Sequence, residues 1–248
     1  MIEKLEDNRL NELSETIILD YLKFKNMNPD TVVCIDIEGL AKEYFGFEIK
    51  YENICEDDRG KVAFSGNGIT PVKICKNGKV QEIVYPTNTI VLDKYFKRVE
   101  HYTSRRFNIG HEVAHKILSK VAPGHDRGNY HTIFDKERDY SIDELRSSIM
   151  NISENQANQM SAALQMPMFL LKNTMRRICK KDKFTVYGDH QMLPKDSANL
   201  KKMADDMGVS PTTLLIRLRG CKLIEHRDID EYMKIINLRE CEDNVYCP

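Results

Sequence analysis

The first 51 residues show first a helical and then a strand periodicity in their apolar positions. Within residues 2–24 apolar side chains recur every three or four residues, which is the spacing of one helix face. The polar segment 26–30 interrupts this pattern, and residues 37–44 predict a second, shorter helix. Residues 45–51 alternate between apolar and polar, as a half-buried strand does. The apolar positions of the first helix are Leu10, Leu13, Ile17, Ile18, Tyr21 and Leu22.

Short β-rich runs follow, separated by residues that favour turns. They occupy 62–64, 72–75, 80–85 and 89–92. The dipeptide Asn77-Gly78 lies between the middle two runs and favours a tight hairpin, because both residue types tolerate a positive φ. Together the runs predict a small, mostly antiparallel sheet.

A long amphipathic helix is predicted over residues 105–121. Pro123 and Gly124 end it, and residues 123–140 are polar and irregular. The apolar stripe of the helix consists of Phe107, Gly110, Ala114, Ile117, Leu118 and Val121.

Another helix is predicted to end before Pro167, because the residue preceding a proline is disfavoured in the α region. Two segments, 141–144 and 153–156, have the Ser-x-x-Glu/Gln pattern of a capping box, so the helix begins at one of them or continues through the second. One face of this helix carries a carboxylate, an amide and small side chains, namely Glu154, Ala157, Asn158, Ser161 and Leu164.

The C-terminal third contains a helix-turn-helix-like pattern. Residues 197–207 and 211–219 predict two helices, with Ser210 as the N-cap and Pro211 as the first residue of the second. Segment 195–225 holds 6 basic and 4 acidic residues, which is a small surplus for a surface that contacts phosphates. A second basic stretch, which a solvated helix face also explains, comprises Lys172, Arg176, Arg177, Lys180, Lys181 and Lys183.

Composition narrows the classes of protein to consider. The 248 residues suffice for a substantial core, and a net charge of −1 gives no overall attraction to nucleic acid or anionic membrane. No window approaches the apolar length of a membrane helix, and the first 15 residues are charged throughout, without the apolar core of a secretory signal. The 7 cysteines are scattered without a Cys-x-x-Cys pair, so we expect reduced thiols and a cytoplasmic protein. They are Cys34, Cys55, Cys75, Cys179, Cys221, Cys241 and Cys247.

The most specific chemical signal is the sequence His-Glu-x-x-His at 111–115. Residues four apart on a helix share a face, so His111 and His115 can offer two imidazole nitrogens to one metal ion. Two neutral imidazoles suit Zn²⁺, and Glu112 is placed to act as a general base. The pattern indicates zinc-assisted attack of water on an amide; the alternative is that both histidines are ordinary helix residues.

A hydrolytic zinc site needs a third protein ligand and leaves the fourth position to water. The metzincin arrangement would have glycine and histidine where this chain has Leu118 and Val121, so that class is excluded. Glu154 is the leading candidate, and Asn158, one turn later, could hydrogen-bond a ligating histidine. A solvated glutamate near a helix start is the alternative explanation of Glu154. The competing third ligands are His125, His131, Glu137 and Glu144.

Two motifs resemble the paired signature of the ImmA/IrrE metallopeptidases. They are RRFNIGHEVAHKIL at 105–118 and ENQANQMSAALQMP at 154–167. The resemblance extends upstream to CIDIEGLAKEYFGFEIKY and TIVLD, and downstream to LKKMADDMGVSPTTLLIRLRGCKLI. It covers about residues 30–225, and the two motifs together are far more specific than either alone.

The resemblance implies a role for each matching residue and a fold. His111, His115 and Glu154 take the positions of the metal ligands, and Glu112 that of the catalytic base. The implied fold is α+β, with a zincin-like minimal peptidase core, in which a small mostly antiparallel sheet accompanies the metal-binding helix, followed by a helical helix-turn-helix-like segment. The corresponding division of the chain is an N-terminal helix at 1–29, a zinc metallopeptidase domain at 30–190, the helix-turn-helix-like segment at 191–236 and a C-terminal tail at 237–248.

The chain departs from the family pattern at three points, none of which is one of these four residues. Ala114 stands where glycine is usual and Met160 where phenylalanine is usual, and both are packing changes of tolerable size. The spacing from His115 to Glu154 is long, which implies an inserted loop at 122–140. That this loop gates access to the site is a hypothesis.

The expected function is a zinc-dependent endopeptidase that cleaves a specific regulatory protein, such as a helix-turn-helix repressor of a mobile element or stress response. An exposed strand near 89–92 could bind the substrate backbone by β-addition, as a further hypothesis. The alternative is a transcriptional regulator that binds DNA or protein, with a structural or weakly active metal site. Candidates to stabilise an oxyanion are Tyr130, His131, Tyr140, Tyr187 and His190.

Overall fold

The computed structural model describes residues 6–56, 61–121, 131–132 and 152–243, which form a mixed α+β structure. The helices are α1 (Asp7–Phe24), α2 (Ile37–Gly39, continued by a π-helical turn at Leu40–Tyr44), α3 (Tyr102–Val121), α4 (Ile152–Gln165), α5 (Met168–Ile178), α6 (Pro194–Met207), α7 (Pro211–Gly220) and α8 (Ile229–Asp243). The strands are β1 (Glu48–Glu52), β2 (Lys61–Ser65), β3 (Pro71–Lys76), β4 (Lys79–Val84), β5 (Thr89–Asp93), β6 (His131–Thr132), β7 (Phe184–Tyr187) and β8 (Ile224–Arg227). In this part of the chain, no helix combines the length and the apolar character that crossing a membrane requires.

The helices and strands predicted from periodicity are confirmed within these residues, with small shifts at their ends. Helix α3 begins at Tyr102, a few residues before the predicted start, and α4 ends at Gln165, before Pro167 as expected. The predicted loop at 122–140 and the first capping box at 141–144 lie outside the described residues, apart from the short strand β6. Strands β7 and β8 were not predicted.

A four-stranded sheet with the order β1-β5-β2-β6 packs against α3, the helix that carries His111 and His115. Two of its pairings are antiparallel, as predicted, and the β1–β5 pairing is parallel. Strand β5 is internal, and Ile90, Val91 and Leu92 are fully buried. The prediction of an exposed strand at 89–92 that binds a peptide is therefore wrong, because β1 and β2 already pair with both of its edges. The run of consecutive apolar residues at 90–92 is typical of a central strand that is buried on both faces.

A separate hairpin, β3–β4, packs next to this sheet. Its turn places Asn77 at φ 52° and Gly78 at φ 73°. Two consecutive positive φ angles match the right-handed twist of the flanking strands, which explains the preference for Asn-Gly. The predicted hairpin is confirmed.

Helices α3 and α4 pack closely at Gly110 and Ser161. A Cβ atom at Gly110 would lie 2.7 Å from the Ser161 Oγ, which is closer than packed atoms approach. The Ser161 hydroxyl donates a hydrogen bond of 3.0 Å to the Phe107 carbonyl oxygen. Small side chains thus bring the two helix backbones together, and α4 becomes the main packing partner of α3.

The helix-turn-helix-like pair α6–α7 forms as predicted and is fixed to α3 by a buried arginine. Ser210 caps α7 by accepting a 3.1 Å hydrogen bond from the Thr213 N–H. The Arg106 guanidinium of α3 donates to the carbonyl oxygens of Gly208 at 3.1 Å and Met207 at 3.4 Å, at the C-terminal end of α6. It also donates to the Ile35 carbonyl oxygen at 2.7 Å. One side chain therefore joins three segments of the chain.

The C-terminal segment also contributes a strand. Strand β8 pairs in parallel with β7, through the register from Phe184↔Ile224 to Tyr187↔Arg227. Buried side chains from α1, α3, α4, α6 and α7 belong to one hydrophobic cluster. The helices on either side of the predicted domain boundaries at 29/30 and 190/191 therefore share one hydrophobic core.

We predict that Gly110→Ala destabilises the protein by about 1–3 kcal/mol, because its methyl group overlaps the Ser161 hydroxyl. Ser161→Ala alone should cost about 1 kcal/mol through the lost hydrogen bond to Phe107. The double variant should cost less than the sum of the two, since removing the hydroxyl makes room for the methyl group. Chemical denaturation of the four proteins measures this coupling.

Gly220→Ala is the control for this cycle, because a Cβ at Gly220 meets no atom within 4 Å. It should be neutral or slightly stabilising. Strict additivity of Gly110→Ala and Ser161→Ala would show that the helices do not meet at these residues.

Candidate metal centre

Helix α3 presents His111 and His115 to α4 from one of its faces. His111 and His115 are one turn apart, and 1% and 7% of their respective surfaces are exposed. Glu154 lies in the first turn of α4, with 14% of its side chain exposed, and Asn158 follows one turn later. The close packing of the two helices is what brings these four side chains together.

Three potential ligand atoms converge between the helices. The Nε2 atoms of His111 and His115 are 3.0 Å apart. The Glu154 carboxylate places one oxygen 3.2 Å from the His111 Nε2 and the other 3.5 Å from the His115 Nε2. This buried group of His111, His115 and Glu154 could hold a metal ion.

The distances within this group fit a small divalent cation. Four-coordinate zinc with bonds of about 2.1 Å has its ligand atoms roughly 3.4 Å apart. The three observed separations, from 3.0 to 3.5 Å, bracket that value. Two imidazoles and one carboxylate are a ligand set that zinc commonly takes in hydrolytic sites.

Asn158 fixes which nitrogen of His111 is available to a metal. Its Oδ1 lies 2.9 Å from the His111 Nδ1. Because an amide oxygen only accepts hydrogen bonds, Nδ1 carries the proton and Nε2 keeps its lone pair. That lone pair is on the nitrogen that faces His115 and Glu154. Hydrogen bonds of this kind orient metal-ligating histidines and raise their affinity.

Glu112, the residue between the ligands in sequence, is fully buried and is held by the sheet. The Ser65 hydroxyl, at the end of β2, donates a 2.7 Å hydrogen bond to the Glu112 Oε2. One turn further along α3, the Lys116 ammonium group donates to the Gly66 carbonyl oxygen at 2.8 Å. The end of β2 is thereby fixed against α3 by two contacts one helical turn apart, one of them to the carboxylate itself.

Ser65 is a site residue that sequence reasoning missed. It precedes the turn sequence Gly66-Asn67-Gly68, and serine is common next to turns, so nothing in its local pattern marks it. Its contact with Glu112 spans 47 positions in the chain. Only the docking of β2 on α3 reveals it.

The remaining candidates from the sequence lie elsewhere or outside the described residues. Tyr187 is buried against Tyr232 of α8, with ring centroids 5.6 Å apart. His190 lines a surface groove with Arg219 and His226. Strand β7, which carries Tyr187, is not a main packing partner of α3. Five further side chains lie outside the described residues, namely His125, Tyr130, Glu137, Tyr140 and Glu144, as does the side chain of His131.

A scan against protein-family models and a search of curated proteins found no match to this chain.

We predict that the protein binds about one zinc ion per chain and that His115→Ala or Glu154→Ala abolishes this binding, because each removes one of three ligands. Elemental analysis after zinc reconstitution and gel filtration measures the stoichiometry. Zinc should raise the melting temperature of the wild type and leave that of both variants unchanged. His101→Ala, which removes a half-buried histidine ahead of α3, should bind zinc like the wild type. Equal zinc content in all four proteins would place the metal elsewhere.

We predict that Asn158→Ala keeps the one-zinc stoichiometry and lowers zinc affinity by roughly 10–100-fold. The reason is that the His111 ring loses the acceptor that fixes its orientation and its protonated nitrogen. Competition with a chelator of known affinity measures the change. Asn108→Ala is the control, since the Asn108 amide donates to the Ser104 carbonyl oxygen within α3. An unchanged affinity in Asn158→Ala would show that this contact does not support the metal site.

Proposed function

We propose that the protein is a zinc-dependent endopeptidase. The observation that carries this proposal is the convergence of His111, His115 and Glu154 beside the buried Glu112. Three ligands and an adjacent carboxylate are the parts that zinc-dependent hydrolysis of an amide requires.

The number of ligands favours a hydrolytic over a structural metal site. A structural zinc site closes with four protein ligands. Among the residues that the structure describes, no further histidine, cysteine, aspartate or glutamate joins His111, His115 and Glu154 in the group. Within that part of the chain the group therefore has three ligands, the number that hydrolytic zinc sites take.

Each residue of the site has a separate role in the proposed reaction. Zinc, when bound, lowers the pKa of a coordinated water and polarises the scissile carbonyl. Glu112 accepts a proton from the attacking water and delivers it to the leaving nitrogen. Ser65 holds the Glu112 carboxylate in position, while Asn158 holds the His111 ring.

The proposed architecture is a zincin-like core. Its support is the packing of α3 against both α4 and the sheet, with β2 and β5 next to the helix. Strand β6 pairs with the outer edge of β2, the strand that carries Ser65. The resemblance of residues 105–118 and 154–167 to the ImmA/IrrE signature points to the same architecture.

The proposed substrate is a specific regulatory protein, such as a helix-turn-helix repressor. This part of the proposal is supported by the motif resemblance. The deep burial of the ligands and of Glu112 is consistent with a selective enzyme, because a peptide must be positioned well to reach them.

The alternative of a DNA-binding regulator is less well supported by the charges of the α6–α7 pair. Arg217 of α7 is buried and donates to the Met166 carbonyl oxygen at 3.2 Å and to the Asn11 Oδ1 at 2.5 Å. Burial lowers the pKa of Arg217. The Arg219 side chain donates to the Asp189 carbonyl oxygen at 3.3 Å. Two of the six basic residues of segment 195–225 thus donate hydrogen bonds to groups of the protein itself, which favours a packing role for the α6–α7 pair.

We predict that the zinc-loaded protein generates new N-termini in a proteome-derived peptide library and in a bacterial lysate whose proteins remain folded. Glu112→Gln should reduce the rate at which these N-termini appear by at least about 100-fold. The variant loses the proton acceptor and retains the three ligands, so its zinc content should equal that of the wild type. Labelling of N-termini followed by mass spectrometry measures the cleavage.

The matched control is Glu100→Gln, the same chemical change at a residue whose side chain is 65% exposed ahead of α3. It should cleave like the wild type. Cleavage that persists in Glu112→Gln would assign the base to another residue. Absence of cleavage by the zinc-loaded wild type in both samples, together with duplex DNA binding that weakens steeply with salt, would favour the alternative function.

A further inference from the structure

Cys55 and Cys75 lie next to each other on paired backbone segments. Cys75 is in β3, and Cys55 follows β1 in a short segment that pairs with β3 through the bridge Ile54↔Ile74. The Cys55 N–H donates to the Lys73 carbonyl oxygen at 2.8 Å, and the Cys75 N–H donates to the Asn53 carbonyl oxygen at 2.8 Å. These two hydrogen bonds fix the antiparallel register.

The register places both thiols on the same face. Cys55 is opposite Lys73, and side chains two residues apart on a strand share a face, so Cys75 is the diagonal neighbour of Cys55. The Cys75 thiol contributes to the raised pKa of Cys55, as expected of two side chains that lie close together on one face. The Cys55 Sγ also lies 3.6 Å from the Asn53 carbonyl oxygen, which accepts from the Cys75 N–H. The two cysteine side chains are therefore neighbours on one face, and both cysteines are partly exposed.

This contact distinguishes Cys55 and Cys75 from the other described cysteines. The Cys34 thiol donates to the Met207 carbonyl oxygen, and the buried Cys179 contacts the thioether sulfur of Met203, which cannot form a disulfide. Burial raises the pKa of each, in the case of Cys179 to about 11. Burial, followed by the neighbouring Cys75 thiol, also raises the pKa of Cys55. Cys55 thus differs from the others in its partner and not in its acidity.

A metal site is not the explanation of this pair. Within residues 6–56, 61–121 and 152–243, the group of histidine, cysteine and carboxylate side chains close enough to share an ion is that of His111, His115 and Glu154. Two thiols without further ligands do not complete a zinc site, which takes three or four protein ligands. Two adjacent, partly exposed thiols form a disulfide under oxidation.

We propose that Cys55 and Cys75 form a reversible disulfide site. With a peroxide as oxidant, one thiolate attacks the O–O bond and becomes a sulfenic acid, and hydroxide leaves and is protonated to water. The second thiol then attacks that sulfur, forms the S–S bond and releases a second water. The peroxide is reduced by two electrons and the two thiols are oxidised by two. A dithiol reverses the reaction by exchange through a mixed disulfide.

The geometry makes this disulfide reducible. Diagonal neighbours in an antiparallel pair have Cα atoms about 7–8 Å apart, whereas a relaxed disulfide spans up to about 7 Å. Closure therefore requires the segment around Cys55 to move by roughly 1 Å, which a single bridge at Ile54 permits. The resulting strain raises the reduction potential of the bond.

The disulfide would close a ring over residues 55–75, which contains β2 and Ser65. Fixing both ends of this segment restricts the unfolded chain and stabilises the folded one. The inference does not depend on the proposed peptidase activity, since neither the metal nor catalysis enters it.

The test is oxidation of the reduced, purified full-length protein with hydrogen peroxide, followed by alkylation, tryptic digestion without reductant and mass spectrometry. Cys55 and Cys75 fall in separate tryptic peptides, 51–59 and 74–76. A linked pair with a mass about 2 Da below the sum of the two peptides, lost on reduction, is the expected result. The melting temperature of the oxidised protein should rise by about 5 °C.

Cys55→Ser and Cys75→Ser should each abolish the rise in melting temperature, and Cys34→Ser, at another partly exposed cysteine, should retain it. Reduced and oxidised wild type have the same sequence, so the comparison does not depend on the folding of a variant. Recovery of both peptides unlinked, or linked to other cysteines, overturns the proposal.

Discussion

The close approach of α3 and α4 is the constraint on which the candidate site depends. Neither helix holds the ligand set alone, because α3 supplies His111 and His115 and α4 supplies Glu154. Gly110, which directly precedes His111, and Ser161, about two turns after Glu154, set the distance between the two backbones. A larger side chain at Gly110 would separate the carboxylate from the imidazoles, although it would leave every residue of the motif in place. The packing residues are therefore as necessary to the site as the ligands.

Two buried arginines extend this support to the rest of the molecule. Arg106, five residues before His111, satisfies the carbonyl oxygens at the end of α6, where Gly208 adopts φ 65°. Arg217 of α7 reaches back to the loop between α4 and α5 and to α1. Buried guanidinium groups need such partners, because an unpaired buried charge is strongly destabilising. The helix-turn-helix-like pair is consequently part of the scaffold that positions α3, and its burial reduces the surface available to a nucleic acid.

The sheet contributes to the site through a contact of a different kind. Strand β2 ends against α3, where the Ser65 hydroxyl holds the Glu112 carboxylate and Lys116 holds the Gly66 carbonyl oxygen. The carboxylate is thus oriented by an element that is remote in sequence from the helix that carries it. If Cys55 and Cys75 form a disulfide, it constrains segment 55–75, which contains β2. Glu112 and the hairpin are then connected through β2.

The sequence by itself determined most of the helices and strands, the Asn77-Gly78 hairpin and the residues able to bind a metal, because these depend on local periodicity, turn conformation and spacing along one helix. Helices α5 and α8 were not predicted. The sequence also indicated that Glu154 and Asn158 share a face, which the structure places against His111. Only the tertiary structure decided that β5 is an internal strand, that β7 pairs with β8, and that Ser65 holds Glu112. Each of these is a contact between residues far apart in the chain, and its energy comes from burial and hydrogen bonds that exist only after the elements have packed. Local pattern carries no record of such partners, so the residues of the candidate site could be predicted from the sequence, whereas the contact that β2 makes with Glu112 could not.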